Sequence, residues 1–344
     1  VVFNAITKNA ILSAIESPRE IDTDLVEAYL ARNSLDYLMG FNISPVLWQR
    51  LRGAAKSAGR VQSPALRLVV DREIEIEKFK TEEYWTISAD FKDKNNNVIR
   101  ASLSLLNDEK VEKFSFKDSD TTNITANELE QKEYHVTSVT SQKRNRNPYA
   151  PFTTSTLQQS ASTNLKISPR DVMSTAQKLY EAGLITYMRT DGIEMAPEGI
   201  TSARKQISNS LGEHYLPEKP RVFKNKAKNA QEAHECIRPT DFSKTPENAK
   251  NLNKSELDLY ALIWKRALAS QARAAEVLQT TVLISSFCAS AQFRLSGQVV
   301  TFEGHLKIFQ DTKKEDDEKR IPDIREKSKM KLEQINKEQH FTEP

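Results

Sequence analysis

The sequence has few of the residues that mark disulfide-bonded, zinc-bound or membrane-spanning proteins. Its 344 residues include only two cysteines, Cys236 and Cys288, which supply neither a disulfide framework nor a four-ligand zinc site and suit a reducing cytoplasm. We find no apolar run long enough to span a bilayer and no signal-peptide pattern, so we expect neither membrane insertion nor export. Glycine-rich loops ending in Gly-Lys-Ser/Thr and dinucleotide fingerprints are also absent, which excludes a nucleotide-driven motor in this stretch.

The length and composition predict a folded chain of two or three domains. Hydrophobic residues make up 38% of the sequence, enough to bury more than one core. The sequence begins with Val1 rather than methionine and ends with Pro344 in the segment QHFTEP. We therefore expect it to be a piece of a longer chain.

Charge is distributed unevenly along the chain. The formal net charge is only +3, but no acidic residue occurs between Asp36 and Asp71, or between Glu133 and Asp171, where arginines and lysines persist. A third basic cluster occupies residues 221–228. An anionic ligand responds to the local charge rather than to the average, so these windows favour binding of nucleic acid over an ordinary solvated surface.

Hydrophobic periodicity divides the chain into helical and β segments. Residues 1–80 are predicted to be helical, with Thr23 as the N-cap of a helix that ends at Gly40. From Tyr84 the apolar residues alternate with a period of two, and this pattern returns in QTTVLISSF, QFRLSGQVVTF and HLKIF. Because such strands need partners to complete a sheet, we infer one β domain that is split by a helical insertion at residues 144–272.

The insertion carries the clearest helix signals. Thr153 or Thr154 is expected to cap its first helix, and Ser168 to cap a second helix that Gly183 closes. A third helix is predicted to open at Pro197. The first two helices, followed by the extended segment LITYM, resemble a helix-turn-helix with a wing, a shape that commonly meets DNA.

Two segments of the insertion suit phosphate chemistry. In EAGLITYMRTDG, Tyr187 and Arg189 lie two residues apart in a predicted extended segment, so their side chains project from one face. A guanidinium can favour the ionised phenol and hold phosphate oxygens, although a structural tyrosine beside a surface arginine is the commoner cause of this spacing. His234, predicted in a helical turn of AQEAHECIRPTD, could donate to a phosphate or shuttle a proton, with a structural histidine as the simpler alternative.

Residues near the start of the chain combine phosphate donors with flat rings. The segment KSAGRVQSPALRL offers small residues before an apolar helix, where a backbone can approach phosphates closely. Upstream, arginine, asparagine and aromatic side chains are of the kind that grips unstacked bases, and core packing of the rings is the alternative. The candidate DNA-binding residues are Arg32, Asn33, Asp36, Phe41, Trp48, Ser57, Ala58, Gly59, Arg60, Val61 and Gln62.

Five segments, taken in order, resemble the type IA DNA topoisomerases of the bacterial topoisomerase I kind. They are VVFNAITKNAI, SAGRVQSPALRLVVDREIEI, PFTTSTLQQ, GLITYMRTD and QEAHECIRP, and the resemblance runs from Val1 to Pro344. It implies that Tyr187 forms a 5′-phosphotyrosyl link to one DNA strand and that Arg189 and His234 support the cleaved phosphate. The candidate residues named above, together with Arg189, would then contact DNA.

The same resemblance implies an α+β multidomain fold. In that fold a mostly helical toroidal core with winged-helix-like elements is joined to a split β arch. The implied divisions are residues 1–22 as the end of a TOPRIM domain, 23–80 as a helical DNA-binding body, 81–143 and 273–335 as the β arch, 144–272 as the tyrosine-bearing insertion and 336–344 as the returning body.

The implied activity is relaxation of negatively supercoiled DNA by single-strand cleavage, strand passage and religation, without ATP. Its partners would be single-stranded and negatively supercoiled DNA, and the protein would be a cytoplasmic, nucleoid-associated monomer. Mg²⁺ would be held by the rest of the TOPRIM domain, expected before Val1, while a later body segment and any zinc-ribbon tail would follow Pro344. We therefore expect the chain alone to bind single-stranded DNA but to cleave it poorly.

Three positions depart from the family pattern. Asn33 stands where the family often has arginine, which weakens one phosphate contact. Gly192 stands where serine is common and Cys236 where alanine is usual, and we expect both to be tolerated.

Two other functions use similar residues. A tyrosine recombinase or type IB topoisomerase would carry its tyrosine on a helix near the chain end and link it to a 3′-phosphate. A non-catalytic helix-turn-helix module would prefer duplex DNA and use Tyr187 only for packing.

Overall fold

The computed structural model describes residues 1–3, 6, 8–51, 57–94, 96–224, 235–310, 321–322 and 324–344. Its helices are α1 (Lys8–Glu16), α2 (Thr23–Leu51), α3 (Gln62–Lys78), α4 (Ser119–Glu130), α5 (Thr154–Leu165), α6 (Pro169–Glu181), α7 (Pro197–Leu211) and α8 (Lys254–Ser270). Its strands are β1 (Glu83–Lys92), β2 (Val98–Leu106), β3 (Glu109–Lys110), β4 (Tyr134–Arg146), β5 (Ala275–Ser286), β6 (Ala291–Phe302) and β7 (Lys329–Phe341). None of the helices in these residues is both long and apolar enough to cross a membrane.

The strands form one antiparallel sheet that closes on itself. The order is β1-β7-β4-β5-β6-β2, and β1 also pairs with β2, so the six strands make a ring to which β3 is attached. Alternate residues of each strand point inward, and Phe91, Tyr134 and Phe293 meet edge to face there, with centroids 5.2–5.6 Å apart. Strands before and after the insertion share this sheet, which confirms the split β domain.

Three strands extend beyond the barrel. β4 pairs with β7 only at Tyr134 and His135, whereas it follows β5 along its whole length. β5 pairs in turn with β6 as far as Phe302. We call this three-stranded extension the ribbon and define it as residues 138–146 of β4, 275–283 of β5 and 294–302 of β6. The chain enters the insertion from the end of β4 and leaves it into β5.

The insertion folds around its own apolar core, and its local signals were predicted well. Thr153 caps α5, and Ser168 caps α6 by accepting a hydrogen bond from the backbone N–H of Asp171. The stripe of α6 expected from the sequence lies fully inside the core, against α5 and α8. Its members are Val172, Ala176 and Leu179.

The first long helix differs from the prediction at both ends. α2 begins at Thr23, and the carboxylate of Asp22 accepts from the N–H of Leu25 at 3.0 Å, so Asp22 and not Thr23 takes the capping role. The helix does not end at Gly40 but runs to Leu51. A single glycine costs only about 1 kcal/mol relative to alanine in a helix, too little to stop it alone.

Two late segments also differ from the prediction. HLKIF was expected to be a strand, but Gly304–Lys307 forms a 3₁₀ turn. Gly304 has φ +50° and lies so close to the backbone of Ala274 that a Cβ would be 2.5 Å from its carbonyl oxygen, a conformation that ends a strand. β7 was not foreseen as a strand, and it continues to Phe341, past the expected end of the β arch at residue 335.

Candidate functional site

Tyr187 lies in the insertion just after α6. It follows Ile185, which forms a single β-bridge with Pro239, and the chain then bends, so LITYM is not the regular strand that the sequence predicted. The tyrosine is half-buried, and its ring meets that of Tyr180 on α6 edge to face at a centroid distance of 5.2 Å. Burial and then the neighbouring Tyr187 raise the pKa of Tyr180. This favours the neutral phenol at Tyr180.

The backbone before Tyr187 is fastened to a distant segment by Thr186. This threonine is fully buried, and its hydroxyl donates to the carbonyl of Cys236 at 2.7 Å and accepts from the N–H of Arg238 at 3.0 Å. The N–H of Thr186 also donates to the carbonyl of Arg238 at 2.9 Å. The backbone before Tyr187 is therefore fixed by hydrogen bonds to residues far away in the sequence, and Thr186 and Arg238 are 52 positions apart.

A second threonine fastens the backbone after Tyr187. Thr154, at the start of α5, donates its hydroxyl proton to the carbonyl of Met188 at 2.7 Å and accepts from the N–H of Thr190 at 2.9 Å. Its own N–H donates to the carbonyl of Thr190 at 2.9 Å. Tyr187 thus lies between two clasps, one formed by each threonine hydroxyl.

Arg189 points to solvent beside the tyrosine. Met188 and Thr190 are buried while Tyr187 is half-buried and Arg189 exposed, so the alternation predicted for a strand holds although the strand does not. The part of the chain that the structure describes gives Arg189 no hydrogen-bond or ion-pair partner. Within those residues its guanidinium remains available to an external anion.

His234 lies outside the described residues, but the chain that follows it adjoins the tyrosine. A helical turn was expected here, whereas residues 235–239 form isolated bridges to Glu194, Phe152 and Ile185. The prediction was wrong for these residues because their backbone groups pair with three separate segments rather than with each other. Residues 235–239 therefore run alongside the segment that carries the tyrosine.

A buried ion pair that the sequence did not reveal supports this segment. Arg238 is 3% exposed, and its Nε donates to the carboxylate of Glu235, which also accepts from the N–H of Ala196 at 2.9 Å. Gly199 in α7 leaves the space, since a Cβ there would lie 2.6 Å from Arg238 Nε. The signal was present in PEGITSARK, because a glycine inside a helical pattern often marks a close approach.

The N-terminal segment also lies against the insertion. The carbonyl oxygen of Ile6 would be 3.3 Å from a Cβ placed on Gly183, four positions before Tyr187 in the sequence. A groove of about 1130 Å³ runs between α1 and the start of α7, with Glu194, Glu198 and Arg238 among its lining residues. The segment that precedes α2 therefore reaches the neighbourhood of the tyrosine.

A second group of candidate residues gathers along α2. Arg60 binds Asp36 through Nε at 2.5 Å and through Nη2 at 3.3 Å, and the N–H of Ala58 donates to Ser44 Oγ at 3.1 Å. These contacts hold residues 57–62 against the helix. Gln62 Nε2 donates to Ser57 Oγ at 3.2 Å, which closes the segment on itself.

The aromatic side chains of α2 are open to solvent. Phe41 is 67% exposed and Trp48 is 53% exposed, so burial in a core is excluded for both rings within the described residues. Tyr37 stacks near Phe41 at a centroid distance of 4.4 Å. A shallow groove of about 700 Å³ beside them is lined by Asn33 and Asp36 among others, and Arg32 is exposed one residue earlier in the chain.

The described residues do not supply a metal centre. No group of three or more histidine, cysteine, aspartate or glutamate side chains among them is arranged to hold a metal ion. Cys236 and Cys288 are both free thiols.

Known proteins resemble this chain over its whole length. A sequence model of the family described as DNA topoisomerase matches residues 20–344. The DNA topoisomerase 1 of Rickettsia felis is 44% identical, covering 100% of this chain and 46% of that protein. The DNA topoisomerase 1 of Zymomonas mobilis is 46% identical, covering 100% of this chain and 28% of that protein.

A solved structure agrees in fold as well as in sequence. Full-length topoisomerase I from Thermotoga maritima matches with a TM-score of 0.80 and 33% identity, over 100% of this chain and 55% of that one. The chain thus spans about half the length, or less, of these relatives. The matches favour the type IA interpretation over a tyrosine recombinase or an isolated helix-turn-helix module. Since the family match extends over more than nine-tenths of the sequence, this chain belongs to the bacterial, type IA DNA topoisomerase family.

Proposed function

We propose that this chain is the tyrosine-bearing and strand-gripping part of an isomerase that relaxes negatively supercoiled DNA. The observation that carries the proposal is the presentation of Tyr187 and Arg189. The half-buried Tyr187 and the exposed Arg189 lie two residues apart on a backbone that two threonine hydroxyls fix, and Arg189 has no partner among the described residues. A nucleophile and an anion-binding group are therefore offered together to an external phosphate.

The proposed chemistry is a reversible transfer of a phosphoryl group. The phenolic oxygen of Tyr187 attacks a DNA phosphate, a P–O bond to tyrosine forms, and the bond to the 3′-oxygen breaks. The phenol gives up its proton, and the departing 3′-oxygen gains one. Arg189 would stabilise the charge on the non-bridging oxygens, and His234 is our candidate for the second donor.

Reversal of this step reseals the strand. The free 3′-hydroxyl attacks the 5′-phosphotyrosyl ester after another strand has passed through the break. The phosphotyrosyl linkage is a phosphodiester, like the bond that was broken, so the cycle has no step that needs ATP.

The α2 group is proposed to hold the strand that is cut. Arg32, Asn33 and Arg60 would contact its backbone, with Asp36 fixing the guanidinium of Arg60. The exposed rings of Phe41 and Trp48 would stack on unpaired bases, which selects single-stranded over duplex DNA.

No group of three or more histidine, cysteine, aspartate or glutamate side chains among the described residues is placed to hold a metal ion, and the steps above assign roles only to this chain's own side chains. We propose that Mg²⁺ is bound by a TOPRIM domain, and the contact of the N-terminal segment with Gly183 supports placing such a domain beside Tyr187. The free thiols and a chromosomal substrate support a cytoplasmic location, and we propose a monomer.

The binding half of the proposal is tested with single-stranded and duplex oligonucleotides of one sequence. We expect tighter binding of the single strand and little cleavage by this chain alone. Phe41→Ala and Trp48→Ala should each weaken single-strand binding about 5- to 150-fold, since stacking contributes about 1–3 kcal/mol per base. Phe341→Ala, which removes another exposed ring, serves as the control. Tighter binding of the duplex would contradict the proposal.

A further inference from the structure

The ribbon presents an ordered polar surface on one face. Strand pairing aligns its side chains in rows that cross all three strands, because β4–β5 and β5–β6 keep a regular register there. One row consists of Gln142, Gln279 and Gln298, and the next consists of Thr140, Thr281 and Ser296. We call the surface formed by these two rows, with Arg144 and Arg294 at opposite corners, the ribbon face.

Acidic residues are missing from nearly the whole ribbon. No aspartate or glutamate occurs in residues 134–146 or 277–302, and the ribbon's single acid is Glu276. The opposite side of the same barrel is different, since β1 and β7 carry four acids, Glu83, Asp90, Glu333 and Glu338. There the charges are neutralised in pairs such as Arg100–Asp90 at 2.7 Å and Lys92–Glu333 at 2.7 Å.

The two arginines of the ribbon face have no counter-charge among the residues that the structure describes. Arg144 and Arg294 are exposed, and the described part of the chain provides neither of them with a hydrogen-bond or ion-pair partner. Both line a groove of about 280 Å³ together with hydroxyl and amide side chains, Thr140, Gln142 and Gln279 among them. Unneutralised guanidiniums beside uncharged hydrogen-bond donors make a surface complementary to a phosphate backbone.

The dimensions and side chains of the ribbon face limit what it can hold. Three strands at a spacing of about 4.8 Å give a strip about 10 Å wide, which suits one nucleic-acid strand better than a duplex. The two rows contain no aromatic side chain, so bases would not be stacked there as they would be on Phe41 and Trp48. Amide and hydroxyl side chains can hydrogen-bond to any phosphate of the strand, so binding at this surface would not depend on base sequence.

We infer that the ribbon face is a second DNA-binding surface, which holds a single strand loosely by its phosphates. Its identification with DNA rather than another polyanion rests on the proposed function. This surface is separate from the α2 group and from Tyr187, and it lies on the strands that connect the barrel to the insertion. A strand bound here would thus be held apart from the one attached to the tyrosine.

The salt dependence of binding tests the inference. Affinity for a mixed-sequence single-stranded oligonucleotide is measured from low to moderate salt in the 344-residue chain carrying Phe41→Ala and Trp48→Ala, so that binding at the α2 group does not mask binding at the ribbon face. Each phosphate contact contributes about 0.7 to the slope of log affinity against log salt, so Arg144→Gln with Arg294→Gln should reduce the slope by about 1.4. Arg144→Lys with Arg294→Lys keeps both charges and should retain the slope.

A matched control removes the same charge elsewhere on the barrel. Lys110→Gln with Lys329→Gln takes two exposed cations from β3 and β7, where acids lie within 3.8 Å, and should leave the slope unchanged. Equal loss of slope in the control and the arginine pair, or an unchanged slope in the latter, overturns the inference. A loss confined to a duplex probe does the same. If the parent chain binds no single strand, the proposed function fails as well. If the parent chain binds normally and the arginine pair leaves the slope unchanged, only the inference about the ribbon face is rejected.

Discussion

Replacing Thr186 with valine is expected to loosen the backbone that carries Tyr187. The substitution keeps the branched shape but removes a fully buried hydroxyl. That hydroxyl donates to the carbonyl of Cys236 at 2.7 Å and accepts from the N–H of Arg238 at 3.0 Å. The backbone hydrogen bond from the N–H of Thr186 to the carbonyl of Arg238 is left in place.

The size of the effect follows from the groups left without partners. A buried N–H that loses its acceptor costs about 1–3 kcal/mol, and the lost bond to the carbonyl of Cys236 adds about 1 kcal/mol. We therefore expect local opening around Tyr187 to become easier by about 2–4 kcal/mol. A change of about 2 kcal/mol corresponds to an exchange rate about 30-fold faster.

Hydrogen exchange of residues 184–190 and 235–240 measures this opening directly. Thr186→Ser retains the hydroxyl and should keep exchange close to that of the parent chain. In the full-length protein, Thr186→Val should also lower the rate of DNA cleavage, because Tyr187, the proposed nucleophile, is held less firmly. Exchange that is unchanged in the valine variant, or that is equally fast in the serine variant, would refute the reasoning.

Three further predictions concern packing and titration. Gly199→Ala should destabilise the insertion by about 1–3 kcal/mol in urea unfolding, because the added Cβ would lie 2.6 Å from Arg238 Nε. Gly40→Ala is the control and should be neutral or stabilising, because a Cβ at residue 40 would have no neighbouring atom within 4 Å. Hydrogen bonds with Ser286 and Ser290 lower the pKa of the Cys288 thiol to about 6. Its alkylation rate should therefore rise with pH through about 6 and be nearly maximal at neutral pH, and a midpoint near 8.5 would contradict this. Burial and then the charges of Arg146, Arg221 and Arg266 lower the pKa of His305 to about 4, below its value in the unfolded chain. Its contribution to stability is therefore complete above about pH 6.5 and is lost as the pH falls toward 4. The free energy of unfolding should change by about 3 kcal/mol over this range, and His305→Gln should abolish the change.

Features set by local chemistry could be predicted from the sequence. The caps at Thr153 and Ser168 depend on a hydroxyl and an N–H three positions apart, and both were found where expected. The split β domain followed from the return of a period of two after a long helical stretch. The candidate phosphate-binding residues on α2 and in the insertion were singled out by their side-chain chemistry, and the roles that the family resemblance assigns to them stay predictions.

Features that depend on distant contacts could not be predicted in this way. HLKIF alternates like a strand, but the packing of Gly304 on Ala274 turns it. The ion pair of Arg238 with Glu235 and the clasps at Thr186 and Thr154 join segments that are remote in sequence. Buried and more exposed side chains still alternate around Tyr187 in the absence of a regular strand, because the hydrogen bonds of these two threonines fix the backbone there.

The most direct test of the central claim is the position of a covalent DNA adduct. Full-length protein is incubated with a single-stranded oligonucleotide and Mg²⁺, denatured and digested with trypsin, and the peptide at residues 179–189, which contains both Tyr180 and Tyr187, is analysed by mass spectrometry. We predict a 5′-linked nucleotide on Tyr187 that Tyr187→Phe abolishes and Tyr180→Phe retains. An adduct on Tyr180, a 3′-linkage, or an adduct that persists in Tyr187→Phe would contradict the account.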